Sequence, residues 1–369
     1  MPPAVVSSRN GMRCVMRLFN CSHCGQRLYF ENVVCERCAA TLGFLPDWLL
    51  LVSLDAAGER RWRPHGKNPE YLMCANYEQH AVCNWMVPSD DGHPLCTACR
   101  LNKTIPDLGV EGNIDRWRTL ETEKRRLVYS LLRLGLPVVP RSEDAAALAF
   151  NFLADTGSPF SERGKVLTGH FAGLITINIK EADSAERERM RGQFDEPYRT
   201  LLGHFRHESG HYYWDRLIRD SAWLEECRSL FGDDTLDYGA ALEDYYRHGA
   251  PANWQEHFIS SYATMHPWED WSETWAHYLH MVDTLETAWQ FGIGIRPRGG
   301  DDATATVHQD FDPYRAACID TLVEHWLPLT SALNSLNRSM GHEHAYPFVI
   351  SPGVIEKLGF VHRVIRKAS

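Results

Sequence analysis

Two Cys-x-x-Cys pairs, Cys21 with Cys24 and Cys35 with Cys38, stand near the start of a 369-residue chain with ten residues between them. No other feature constrains the first hundred residues as strongly, because four thiolates so placed fit one tetrahedral Zn²⁺. Small or polar residues follow each pair (Gly25-Gln26, Ala39-Ala40), which lets backbone N–H groups turn toward the sulfurs. The intervening LYFENVV is rich in strand formers, as the hairpin of a zinc ribbon requires. A second quartet, Cys74, Cys83, Cys96 and Cys99, holds one Cys-x-x-Cys and two members at wider spacing, and predicts a second structural zinc. Neither quartet lies in the β-α-β pattern of a redox dithiol. Cys14, Cys227 and Cys318 have no partner at ligand spacing and are expected to be free thiols.

Charge limits the partners. Residues Met1 to Gly112 carry 11 Lys+Arg and 11 Asp+Glu, and four thiolates on one Zn²⁺ make the segment acidic. Phosphate backbones are held mainly by Lys and Arg, so a nucleic-acid partner is unlikely for this ribbon. The whole chain is at −10, and no apolar run approaches the roughly 20 residues that cross a bilayer. The opening MPPAVVSSRNGMRCVMRLF shows no apolar core with a cleavage site, so the expected location is cytoplasmic, with no membrane partner and with reduced cysteines.

The turn-rich stretch LNKTIPDLGVEGN, 101–113, predicts a boundary between a cysteine-rich module, 1–112, and a second domain, 113–369. Strands are expected at WLLLVSL and at HFAGLITINI. Helices are expected after a cap at Asn113 or Asp115 as far as Gly135, over Asp144–Leu153, over Glu196–Arg219, over Pro267–Phe291, from Pro313 to Met340 with a break at Pro328, and after Pro352. The fold class is α+β: a β-rich zinc-binding module, then a mainly helical domain with a small sheet.

Within LLGHFRHESGHYYWDRLI stand His207, Glu208 and His211, an H-E-x-x-H. Residues i and i+4 share a helix face, so both imidazoles can reach one zinc ion while Glu208 reaches its open side. That carboxylate would take the proton of a zinc-activated water and pass it to the leaving amine of a peptide. Gly210 is expected to leave room on the site face. A third ligand is needed if a water is to fill the fourth position. The run YATMHPWEDWSETWAHYLH offers Glu269 and Glu273, one turn apart on one helix face, of which one can bind metal and the other hydrogen-bond the far nitrogen of a ligand histidine. His204 reads as a structural histidine or an assistant of the site, and Asp215 as a buried helper or an ion-pair partner of Arg219. The Trp and Tyr residues at 212–214, 268, 271, 275 and 278 read as packing between the two helices.

HESGHYYW together with YATMHPWEDWSE resembles the gluzincin metallopeptidases of the lethal-factor and minigluzincin type. There a tyrosine stands seven residues before a glutamate ligand, and a second acid four after it. The likeness implies Glu269 as third zinc ligand, Glu273 behind a histidine and Tyr262 facing the developing oxyanion. It also implies that the strand before the motif helix, HFAGLITINI, pairs with extended substrate. From Cys21 to Arg366 the chain is similar to a bacterial family of zinc-binding metallopeptidases with an N-terminal zinc ribbon, through FNCSHCGQRLYFEN, CNWMVP, HFRHESGHYYWD and NSLNRSMG. The expectation is a zinc peptidase acting on peptide or protein, with one catalytic and one or two structural zinc ions. The rival is a ribbon-bearing interaction or adaptor protein with an unused peptidase site.

Overall fold

The computed structural model describes residues 18–142, 144–156, 166, 168–184, 200–298 and 306–368. Cys14 and the first residues of the helix expected from Glu196 lie outside them. Strands β1 (Phe19–Asn20) and β2 (Arg27–Leu28) form a short antiparallel hairpin whose turn carries Cys21 and Cys24. The residue closing each Cys-x-x-Cys turn is left-handed, with φ 74° at Gly25 and 56° at Ala39, and its N–H bonds the first cysteine's carbonyl at 2.8 Å in both turns. Gly25 takes that conformation freely, whereas Ala39 does so at a cost of about 1–2 kcal/mol, which the knuckle must offset.

WLLLVSL falls largely within β4 (Leu50–Gly58), part of a five-stranded antiparallel sheet in the order β3 (Leu42–Leu45), β4, β5 (Arg61–Pro64), β6 (Tyr71–Met73), β7 (Met86–Pro88). From its neighbourhood Phe30 and Phe44, themselves packed on Trp85, meet Tyr129 of the long helix Asn113–Arg133. The apolar core is therefore continuous across the connector. That helix begins behind Gly112 (φ 81°), not behind a capping Asn113 or Asp115. Asn113 instead donates to the Asp107 carbonyl, and Asp115 pairs with Arg118.

Strand β8 (Asn102–Thr104) joins a second sheet, in the order β10 (Gly169–Phe171), β11 (Leu174–Asn178), β9 (Ala149–Leu153), β8. The helix expected over Asp144–Leu153 is thus a turn followed by a parallel strand. Its Ala-rich start has helix propensity, but Phe150 and Phe152, two apart, both bury against Phe205, and sheet pairing overrides propensity. HFAGLITINI is a hairpin and not one strand. Ala172 (φ 47°) and Gly173 (φ 79°) make its two-residue turn, and a Cβ at 173 would lie 2.3 Å from the Ala146 carbonyl oxygen.

Helices Leu201–Leu217, Leu224–Phe231, Tyr238–His248, Pro267–Phe291, Ile319–Ser339 and Pro352–Ala368 build most of the rest. Pro328 does not break its helix, because the buried Trp326, Leu329 and Thr330 hold it in place across the missing N–H bond. Polar ties join the long helix to Pro267–Phe291: Ser130 Oγ donates to Asp283 at 2.9 Å, and Arg133 pairs with Glu286 at 2.9 Å. No helix among the described residues is long and apolar enough to cross a membrane.

Candidate metal centre and active site

Thr200 caps the motif helix Leu201–Leu217 by accepting the Gly203 N–H at 2.9 Å. His266 caps the helix Pro267–Phe291 in the same way, its Nδ1 accepting the Trp268 N–H at 3.1 Å, with Pro267 at the first helical position. The two helices cross closely at Gly210. A Cβ there would lie 2.9 Å from Ser272 Cα, so Gly210 serves the helix contact and does not open the site face. Trp271 Nε1 donates to the Gly210 carbonyl at 2.9 Å and Trp275 Nε1 to Ser209 Oγ at 3.1 Å, while Tyr213 stacks on Trp275. Trp268 departs from the expected packing role and covers the His211 ring, with centroids 3.9 Å apart.

At this crossing three ligand atoms converge. His207 Nε2 and His211 Nε2 are 3.2 Å apart, Glu269 Oε2 is 2.9 Å from the first and Oε1 is 3.4 Å from the second. A tetrahedral zinc with bonds of about 2.0–2.1 Å has ligands about 3.3–3.4 Å apart, so the spacing suits one ion. Among the described residues Glu269 Oε2 has no hydrogen bond of good geometry, although the residue is almost fully buried and His207 Nε2 is 2.9 Å away. Buried groups that face one another without bonding fit a shared cation. The charges agree: although burial opposes it, His211 and His207 hold the Glu269 carboxyl well below the usual range, and Glu269 and Glu273 push His207 well above its own.

Glu273 occupies the other side of His207, accepting from Nδ1 at 2.6 Å while Ser260 Oγ donates to its second oxygen at 2.6 Å. That bond fixes the tautomer in which Nε2 is free for metal. Tyr262 places its ring 6.1 Å from that of His207. Burial, then the Glu269 charge, raise the Tyr262 phenol above its ordinary pKa. Asp215 pairs with Arg219 at 2.5 Å.

Several site residues carry no signature in the sequence. Tyr238 donates to Glu269 Oε1 at 2.9 Å from the helix Tyr238–His248. His170 of β10 faces His211 and Trp268, its pKa pulled down to about 4 by burial and then by the His211 charge. Each lies on an element far in sequence from the motif helix or the Glu269 helix, so only the fold brings them in. With His207, Glu208 and Phe348 they line a cleft of about 870 Å³.

The cysteine quartets are also assembled. Sulfurs of Cys21 and Cys38 lie 3.7 Å apart, Cys24 and Cys35 3.6 Å, and Cys83 and Cys96 3.8 Å. Thiolates on one zinc at about 2.3 Å are about 3.8 Å apart, far beyond a disulfide bond. All four cysteines of the second quartet are buried, and Cys99 abuts Glu121, which pairs with the fully buried Lys124 at 2.8 Å. Burial lowers the pKa of the adjacent Arg125, but the charges of Cys83 and Glu121 outweigh it and raise the value. The second quartet thus packs against the long helix Asn113–Arg133. Cys99→Ser is expected to release the zinc of the second quartet and to lower Tm markedly, since structural zinc contributes about 10–16 kcal/mol in zinc-finger peptides. Cys38→Ser, at the half-buried first quartet, should cost less. Calorimetry with zinc analysis checks the order, and an equal or smaller loss for Cys99→Ser would remove the anchoring role.

A profile of the family described as "Putative zinc-binding metallo-peptidase" matches residues 113–364, and one of a zinc-ribbon domain matches residues 18–110. The chain belongs to this metallo-peptidase family. Relatives described as uncharacterized proteins, in Mycobacterium bovis and in two strains of Mycobacterium tuberculosis, are each 44% identical over 353 residues, 95% of this chain and of theirs. No solved structure matches it. Membership in the metallo-peptidase family and the two four-cysteine clusters agree on zinc.

Proposed function

We propose that the chain is a gluzincin-type zinc peptidase in which His207, His211 and Glu269 hold the catalytic metal. The observation that carries this reading is the convergence of those three donors at the floor of a cleft, beside a buried carboxylate, Glu208, that is not one of them. A zinc ion held there supplies Lewis acidity and makes water acidic enough to act as a nucleophile near neutral pH. Glu208 takes the proton released as the water attacks the peptide carbonyl and hands it to the departing amine. Burial raises its pKa, but the His204 hydrogen bond and the His207 charge outweigh this and keep it below the usual value, hence ionised and ready to accept at neutral pH.

Tyr262 donates to the carbonyl oxygen as negative charge builds on it. The edge strand β10 offers backbone groups to an extended peptide, as β-addition requires. The thiolate clusters suit a reducing, cytoplasmic setting, and the acidic balance suits peptide more than nucleic acid.

The test is hydrolysis of a fluorescence-quenched peptide pool and of casein by the zinc-loaded chain. Cleavage should stop with a chelator that empties the histidine site and return with zinc. A fully metallated chain that leaves every peptide intact would favour the adaptor reading.

A further inference from the structure

Behind the carboxylate assigned as general base lies a chain of buried polar groups that metal binding does not use. His204 precedes Glu208 by one helical turn, and its Nε2 stands 3.4 Å from Glu208 Oε1. Its Nδ1 lies 2.6 Å from Oε2 of Glu181, which projects from the turn Ile179–Ala182 after β11. The other Glu181 oxygen accepts from Thr168 Oγ1, and Thr168 Oγ1 in turn accepts the Asn178 N–H at 3.1 Å. Asn178 Nδ2 is tied to Asp155 at 2.8 Å and to the Val166 carbonyl at 3.1 Å. Glu181 is 4% exposed, Glu208 6% and His204 15%, so the chain runs from sheet to site nearly out of water.

We propose that Glu181 and His204 form a clamp that fixes the Glu208 carboxylate in its working orientation, His204 being a positioning residue that donates to both acids. The inference rests on the peptidase reading. An imidazole between two carboxylates satisfies both only when each ring nitrogen carries a proton. The charged groups facing the ring among the described residues are Glu181 from the turn and Glu208 from its own helix. Burial pulls the ring's pKa down, and these two acids overcome that and push it up to about 10. The consequence falls on Glu208. Its Oε1 is held by His204, while Oε2, buried, makes no hydrogen bond among the described residues and is left to accept a proton. A carboxylate free to rotate beside a divalent ion would spend part of its time turned away from substrate or on the metal. The clamp removes that freedom before substrate arrives.

The experiment uses the zinc-loaded full chain with ¹⁵N-labelled histidine, the His204 resonances being assigned by their loss in His204→Gln. At pH 8 the wild type should show both ring nitrogens of His204 protonated, and Glu181→Gln should convert the ring to a neutral tautomer. Against a quenched peptide, Glu181→Gln and His204→Leu should lower kcat by about tenfold to a hundredfold with KM within about twofold and zinc content unchanged. His204→Gln, which keeps one donor, should recover part of that loss. A neutral His204 ring in the wild type, or an unchanged kcat in His204→Leu, overturns the clamp. A wild type that cleaves nothing overturns the peptidase reading instead, and the wild-type spectrum then decides alone whether His204 bridges the two acids.

Discussion

Glu269→Ala is expected to empty the centre between His207 and His211 while both cysteine quartets keep their zinc, so that the metal content falls from three ions per chain to two. Among the described residues Glu269 is the only acid whose oxygens reach both imidazoles, at 2.9 and 3.4 Å. It also lies in the first turn of its helix, where the N-terminal dipole favours a negative charge and helps hold the carboxylate ionised. Without it a dication would be buried with two neutral ligands and with neighbouring carboxylates already engaged, Glu273 on His207 and Ser260, Glu208 on His204. The low-polarity surroundings of Trp268, Tyr262 and Tyr238 cannot replace that charge. Glu273→Ala should act differently. It deprives His207 Nδ1 of its acceptor without removing a ligand, and should weaken zinc by about tenfold to a hundredfold. Elemental analysis of both variants after equilibration with a limiting chelator separates the roles. Full occupancy of the histidine centre in Glu269→Ala, with an empty one in Glu273→Ala, would transfer the ligand role to Glu273 and undo the part given to Tyr262.

Within the His207, His211 and Glu269 cluster, the placements legible in the sequence are those set within one helix or one tight turn. His207 and His211 meet because an α-helix returns to the same face after four residues, and Glu269 and Glu273 divide their contacts for the same reason. The cysteine pairs meet because a Cys-x-x-Cys turn is itself the ligating unit. Tyr238, His170 and Glu181 were not legible, since each arrives from a different element and their contacts depend on how the sheet and helices stack. Trp268 shows the ambiguity of an aromatic position: Trp271 and Trp275, on the same helix, are core, while Trp268 lies over the His211 imidazole. Gly210 shows the converse, a glycine beside a reactive motif that is required by packing. The errors in secondary structure share a cause. Local propensity favoured helix over 144–153 and a break at Pro328, and long-range burial of Phe150, Phe152 and Trp326 decided otherwise.

Glu208→Gln should abolish most peptide cleavage while leaving the metal and the fold in place. The substitution keeps volume and planarity, and the amide oxygen can still accept from His204 at the position of Oε1, 3.4 Å from the ring nitrogen. What turns toward the cleft is then an NH₂ group in place of the unpaired Oε2. A donor stands where an acceptor is needed, and no neighbour replaces it. Glu273 and Glu269 are committed to the histidines, and the His204 nitrogens face carboxylates. Transfer to a positioned carboxylate contributes about 10²–10⁴-fold to such reactions, so kcat should fall by at least about a hundredfold. Since Glu208 holds no metal in this arrangement, zinc content should stay at the wild-type level. Binding of an uncleaved peptide should also change little, because the lost interaction is made only as the proton moves. Turnover and zinc measured on one preparation keep the outcomes apart. Lost activity with lost zinc would place Glu208 among the ligands, and wild-type turnover with full zinc would mean that the proton leaves by another route.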